Sequence, residues 1–308
     1  MIDGTKVAGT LADFPILIEA SHEALIGAAP TELLFTAGDG TTKLAHELER
    51  FDAATGTVTA WVRVPMLDPA TTLFIYYGNP AAAPQDNPSD VWIGGYAAVY
   101  HMSETPNPGI EVRDSTTHAR HAATQGMMAS DQMAGKIGGS LQFDSNNRVT
   151  AASFAIGSTF TYEAWVQPVS STNRWRCIVN NDPLYNRWFG LRDNDIDFWD
   201  NNSERILGAN VVPGASWYHV AVTYDGTQLR AYNNGTAGTP VTVTLPSAPS
   251  APLQIGYTAA LSNEWFQGRI DEVRVSSVSR SDAYVSTSFN NQSSPATFAT
   301  LEAVESCR

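Results

Sequence analysis

Trp188, Arg192, Asp195, Asp197, Trp199 and Asn201 bring indoles, carboxylates, an amide and a guanidinium into one short stretch of chain. Indole faces pack on apolar ring faces, and the polar groups exchange hydrogen bonds with hydroxyls, so this set of residues suits a sugar. The segment DIDFWD, residues 195–200, carries the period of a strand. Asp195, Asp197 and Trp199 share one face, and Ile196 and Phe198 take the other. A strand apolar on one side, with carboxylates and an indole on the other, predicts a core face and a ligand-facing surface. Trp175, Asn180, Asn186 and Arg187 enrich the same region. The alternative places half of these aromatics in a core. Retaining glycoside hydrolysis, which needs carboxyls about 5 Å apart, is the enzymatic alternative, with Asp200 brought beside Asp195 and Asp197 by a bulge.

Other chemistries find less support. The formal net charge is −13 and no Lys/Arg run occurs, which excludes nucleic acid and anionic lipid as partners because both demand clustered cations. No GxSxG and no phosphate-binding glycine loop is present. Of the two cysteines, Cys177 in RCIV reads as a buried thiol, and its pairing with Cys307 stays open. No apolar run is long enough for membrane insertion. The opening MIDGTKVAGT lacks a signal peptide's character, so a secreted or cell-surface location implies an excised fragment of an exported protein.

The elements that must position these residues are strands. Charged residues make up only 16% of the chain, and Thr, Ser, Gly and Asn are plentiful, which predicts an all-β fold of short strands and polar turns. FPILIEA, ELLFTAGDG, HELERFD, TVTAWVRVP and TLFIYYGNP predict an N-terminal β-sandwich, closed by a Pro/Ala/Asn linker over 79–89. Residues 1–89 form this first domain, and 90–308 form a second, double-sheet domain. Trp165 in AWV is expected in the inter-sheet core. A single helix is expected near 281–289, with Ser279 or Ser281 as N-cap.

WYHVAVTYDGTQLRAYNNGT (217–236), FQGRIDEVRVSSVSRS (266–281) and GKIGGSLQFD (135–144) resemble the signature strands of laminin-G-like, concanavalin A-like jelly rolls. The resemblance covers roughly Val91 to Gln292. The segment before it is similar to an uncharacterised bacterial β-domain that precedes such jelly rolls in exported proteins. The resemblance implies a concanavalin A-like double-sheet jelly roll and a structural Ca²⁺ held by one or both of Asp114 and Asp271 together with backbone carbonyls of the intervening loops. It also implies an extracellular binding module for glycans or a cell-surface ligand within a larger bacterial adhesin. The sequence departs from the family after Ser115, where Thr116, Thr117 and His118 stand. Without a metal, Asp114 would make an Asx-turn and Asp271 would accept backbone N–H bonds. A purely structural surface module is the alternative to binding. DIDFWD also resembles the catalytic strand of concanavalin-like hydrolases, but has Asp where those carry Glu at the outer two positions.

Overall fold

The structure, a computed structural model, describes residues 1–107, 111–170, 174–183, 186–200, 203–259 and 264–302. The fold is all-β, and the chain divides into two units: Met1–Gly94 together with Ser286–Arg308, and Gly95–Val285.

In the first unit, Leu11–Ser21, Thr57–Leu67 and His46–Asp52 pair antiparallel in one three-stranded sheet, and Leu34–Ala37 joins Lys43–Leu44 and Leu73–Tyr76 in another. Val58, Ala60, Trp61 and Val62 are all fully buried. The stretch expected as a linker is tied down on this unit. Asp86 Oδ1 accepts from the Leu48 amide at 2.7 Å, the Asn87 amide donates to the His46 carbonyl, and Val91 and Trp92 are buried just beyond it.

Ser281 caps the helix Asp282–Ser293, its hydroxyl accepting from the Tyr284 amide at 3.2 Å. From Ser286 onward the chain belongs to the first unit, whereas the sequence reading runs the second domain to the chain end. Asn291 shows what fastens it. This residue is fully buried, and its amide accepts from Leu17 N at 2.7 Å and donates to Leu17 O at 2.9 Å. Leu11–Ser21 is a sheet-edge strand, so Asn291 satisfies edge groups that would otherwise be buried without partners. Asn291→Ala is therefore expected to destabilise the protein by about 3 kcal/mol, read as a lower urea midpoint. An unchanged midpoint would mean that other groups replace both bonds.

The second unit is a jelly roll of a nine-stranded and an eight-stranded sheet among the described residues. The core lies between their inner faces. Phe160, Tyr162, Val220, Val222 and Val273 come from one sheet, and Phe189, Leu191, Ile196 and Phe198 from the other. Aromatic pairs lock the layers together: Phe160 stacks on Phe198 at 5.8 Å and Tyr162 meets Phe189 at 6.2 Å. Each such side chain contributes roughly 1.5–3 kcal/mol by burial. Trp165 is a correction to the expectation. It is buried, but on the other face of its strand, packed on His219 at 5.3 Å. Every residue of Phe160–Pro168 is buried, so alternation along this strand did not reveal which face looks inward.

Candidate functional site

Four consecutive strands at one end of the eight-stranded sheet, Trp175–Asn180, Trp188–Arg192, Asp195–Trp199 and Glu204–Gly208, run as an antiparallel meander. Ile196 and Phe198 enter the core, which turns Asp195, Asp197 and Trp199 to the opposite, outer face, as the alternation requires. Cross-strand register then builds the site in rungs. Trp175 stands opposite Arg192, and Arg192 opposite Asp195. Cys177 stands opposite Gly190, Gly190 opposite Asp197, and Asp197 opposite Ile206. Asn180 faces Trp188, Trp188 faces Trp199, and Trp199 faces Glu204.

Gly190 explains how Trp188 fits. A Cβ at Gly190 would stand 2.6 Å from the Trp188 ring and 2.3 Å from the Arg176 carbonyl oxygen. The missing side chain therefore lets the indole lie along the sheet, where it is only 2% exposed. Trp199 and Trp175 are half-buried, each offering part of its ring to solvent.

Glu204 ties the rungs together. Its carboxylate pairs with Arg192 Nη1 at 2.9 Å and accepts from Trp175 Nε1 at 2.6 Å. Beneath this pair lies Asp197, fully buried beside the Glu204 carboxylate. Burial first, and the neighbouring Glu204 carboxylate second, push the Asp197 pKa up to about 8. Glu264 reaches the same floor from a distant segment, its carbonyl accepting from the Cys177 amide at 3.1 Å. Burial, reinforced by Glu204, raises its carboxyl to about 7. Cys177 is a buried free thiol whose pKa burial raises well above the usual value, and Cys307 lies outside the described residues.

Of the residues singled out from sequence, Trp188, Arg192, Asp195, Asp197 and Trp199 come together on this face, with Trp188 and Asp197 buried as its floor rather than displayed. Asn201 lies outside the described residues. Asp200 instead pairs with Arg205 Nε, on the neighbouring strand Glu204–Gly208, at 2.9 Å. Sequence reasoning missed Glu204 and Glu264. Glu204 had a usable signal, since ERILG follows the turn after DIDFWD at hairpin distance. Glu264 had none.

Asp114 and Asp271 each organise a loop. The Asp114 carboxylate accepts from the amides of Val99, Thr116 and Arg120 and from the Thr116 hydroxyl, at 2.8–3.0 Å. Asp271 Oδ2 accepts from the amides of Lys136 and Ile137 at 2.8 and 3.0 Å.

Residues 141–286 match the family model of the concanavalin A-like lectin/glucanases superfamily. This match falls on the jelly roll. It is preceded, at residues 29–107, by a match to the domain of unknown function DUF2341. No curated protein matches the chain. Among solved structures, the concanavalin A-like fold recurs in the binding domain of Paraclostridial Mosquitocidal Protein 1, with TM-score 0.51, 13% identity, 63% of this chain covered and 52% of that one. It recurs in domain 4 of AbnA, a GH43 extracellular arabinanase from Geobacillus stearothermophilus in complex with arabinotriose, with TM-score 0.51, 18% identity and 64% of this chain against 98% of that one. The botulinum neurotoxin serotype D binding domain gives TM-score 0.50 at 11% identity, covering 64% of this chain and 52% of that one. The chain thus spans about half the length of the two toxin domains. At these identities the likeness is one of fold.

Proposed function

We propose that the concanavalin A-like domain is a glycan-binding module whose contact surface is the outer face of the eight-stranded sheet around Trp175 and Trp199. One observation carries this reading: two half-exposed indoles flank the Arg192–Glu204 ion pair on a single sheet face. The Trp199 ring supplies a flat apolar platform, the Trp175 ring beneath the Arg174 guanidinium a second aromatic surface, and Asp195, Glu204 and Arg192 acceptors and donors for hydroxyls. Arg192 is already paired with Glu204, which favours neutral sugars over anionic ones. The fold shared with the arabinotriose-binding AbnA domain supports the reading. We extend it to an exported protein of the bacterial cell surface, of which this module is the ligand-binding part, and to a role without catalysis. Among the described residues no helix is long and apolar enough to cross a membrane. A glycan array probed with the whole chain tests the proposal. Retention of neutral oligosaccharides supports it, and an array on which no glycan is retained by folded protein favours a purely structural module.

Structural Ca²⁺ at Asp114 and Asp271 belongs to the same proposal. Both carboxylates already hold backbone amides, so an ion must share or displace those bonds, and its affinity is expected at the weak, roughly millimolar end of extracellular calcium modules. Millimolar Ca²⁺ should raise the melting temperature of the wild type and leave Asp271→Asn unaffected. An identical response of both proteins would remove the ion from the proposal.

A further inference from the structure

A cavity opens on the jelly roll, lined by none of the residues of the tryptophan face. Ala155, Gly157, Ser158, Gly226 and residues 245–248 line it, with Tyr224 and Arg187, around about 340 Å³. That space suits a small ligand of monosaccharide size. Tyr224 shapes the rim. Its hydroxyl donates to the carbonyl of Gly226 at 2.8 Å and accepts from the Leu245 amide at 3.3 Å.

Arg187 is the unexpected component. It is 1% exposed, its guanidinium lies 5.2 Å from the centre of the Phe160 ring, and Nη2 donates to the Pro246 carbonyl at 3.1 Å. Nε and Nη1 have no hydrogen-bond partner, and no carboxylate pairs with this cation among the described residues. A guanidinium removed from water without a counter-ion is costly, and a ring face offsets only part of that cost. Among the other buried arginines of this domain, Arg274 has Glu272 at 2.7 Å, and Arg176 is held by two backbone carbonyls, those of Ser170 and Asp193. Nothing in the described structure does the same for Arg187. Ser158 and Ser247, both exposed at the cavity mouth, add hydroxyls that can donate.

We propose that this cavity is an oxyanion site: it takes the carboxylate or phosphate group of a small ligand onto Arg187, with Ser158 and Ser247 at its entrance. An anion there supplies the missing partner for a planar guanidinium. On the tryptophan face Arg192 is already held by Glu204, so the two sites divide ligands by charge.

Calorimetric titration of the whole chain at matched ionic strength tests this, with sodium glucuronate, inorganic phosphate and glucose as probes. Saturable binding of glucuronate identifies a carboxylate ligand, saturable binding of phosphate alone identifies a phosphate ligand, and excess glucose displaces neither. Arg187→Met, which keeps an apolar stem over Phe160, is expected to weaken anion binding on the order of tenfold or more. Ser247→Asp, at an exposed position that leaves the fold untouched, provides a competing carboxylate and should weaken it likewise. Trp199→Ala should leave anion binding unchanged, which separates this site from the sheet face. The proposal is overturned if neither anion binds the wild type saturably, or if Ser247→Asp and Arg187→Met bind as the wild type does.

Discussion

Trp199→Ala is expected to remove glycan retention while leaving a folded protein. Losing one stacking platform costs about 2 kcal/mol of binding, roughly thirtyfold in affinity, and for a module with few contacts that is the difference between retention and none. The cost to stability should stay near or below about 1 kcal/mol, because the ring is half-exposed on the outer face and contributes nothing to the inter-sheet core. Trp188→Ala makes the opposite pair of effects. Trp188 is 2% exposed and lies over Gly190, so its removal leaves a void and should cost about 3–5 kcal/mol. Measured side by side, these variants distinguish a display surface from its floor. A large loss of stability in Trp199→Ala would place that ring in the core and sink the binding surface drawn here.

Stability should fall as pH rises from about 4 towards 8, and Asp197 should be the main cause. Its carboxyl is raised to about 8 in the folded protein, by burial and then by Glu204, whereas an unfolded aspartate titrates near 4. Between those values the native state holds a proton that the unfolded state has lost, so stability drops with pH by about 1 kcal/mol per unit and levels off above the folded value. Glu264, raised to about 7, adds a slope of the same sign at its lower range. Asp197→Asn keeps the shape and can donate to Glu204 without ionising. Its stability should depend on pH far less, and at pH 9 it should exceed the wild type by several kcal/mol. Urea unfolding at pH 5, 7 and 9 reads this directly. Parallel curves for the two proteins would show that Asp197 ionises normally in the native state.

Much of the site was legible because strand periodicity is written locally. DIDFWD separates Ile196 and Phe198 from Asp195, Asp197 and Trp199, and the core confirms that partition. The six strands of the first unit are marked by turn residues in the same way. Periodicity does not report what lies across the sheet. Trp188 is buried because a glycine sits two residues on, beneath its ring, and Asp197 is buried because Glu204 and Glu264 arrive from other segments. Trp165 was misplaced for a related reason, since both faces of its strand are covered. The return of the C-terminal segment depends on Asn291 meeting Leu17 across 274 residues, a separation at which no local pattern carries information.

The location of a bound sugar tests the central claim most directly. A crystal of the whole chain soaked with a short neutral oligosaccharide that the array retains should show ring faces against Trp199 and Trp175, with hydroxyls within hydrogen-bonding distance of Asp195, Glu204 or Arg192. Sugar bound elsewhere on the jelly roll with this face left bare, or an oligosaccharide found cleaved against Asp197 and Glu204, would contradict a non-catalytic binding surface on the outer face of the eight-stranded sheet.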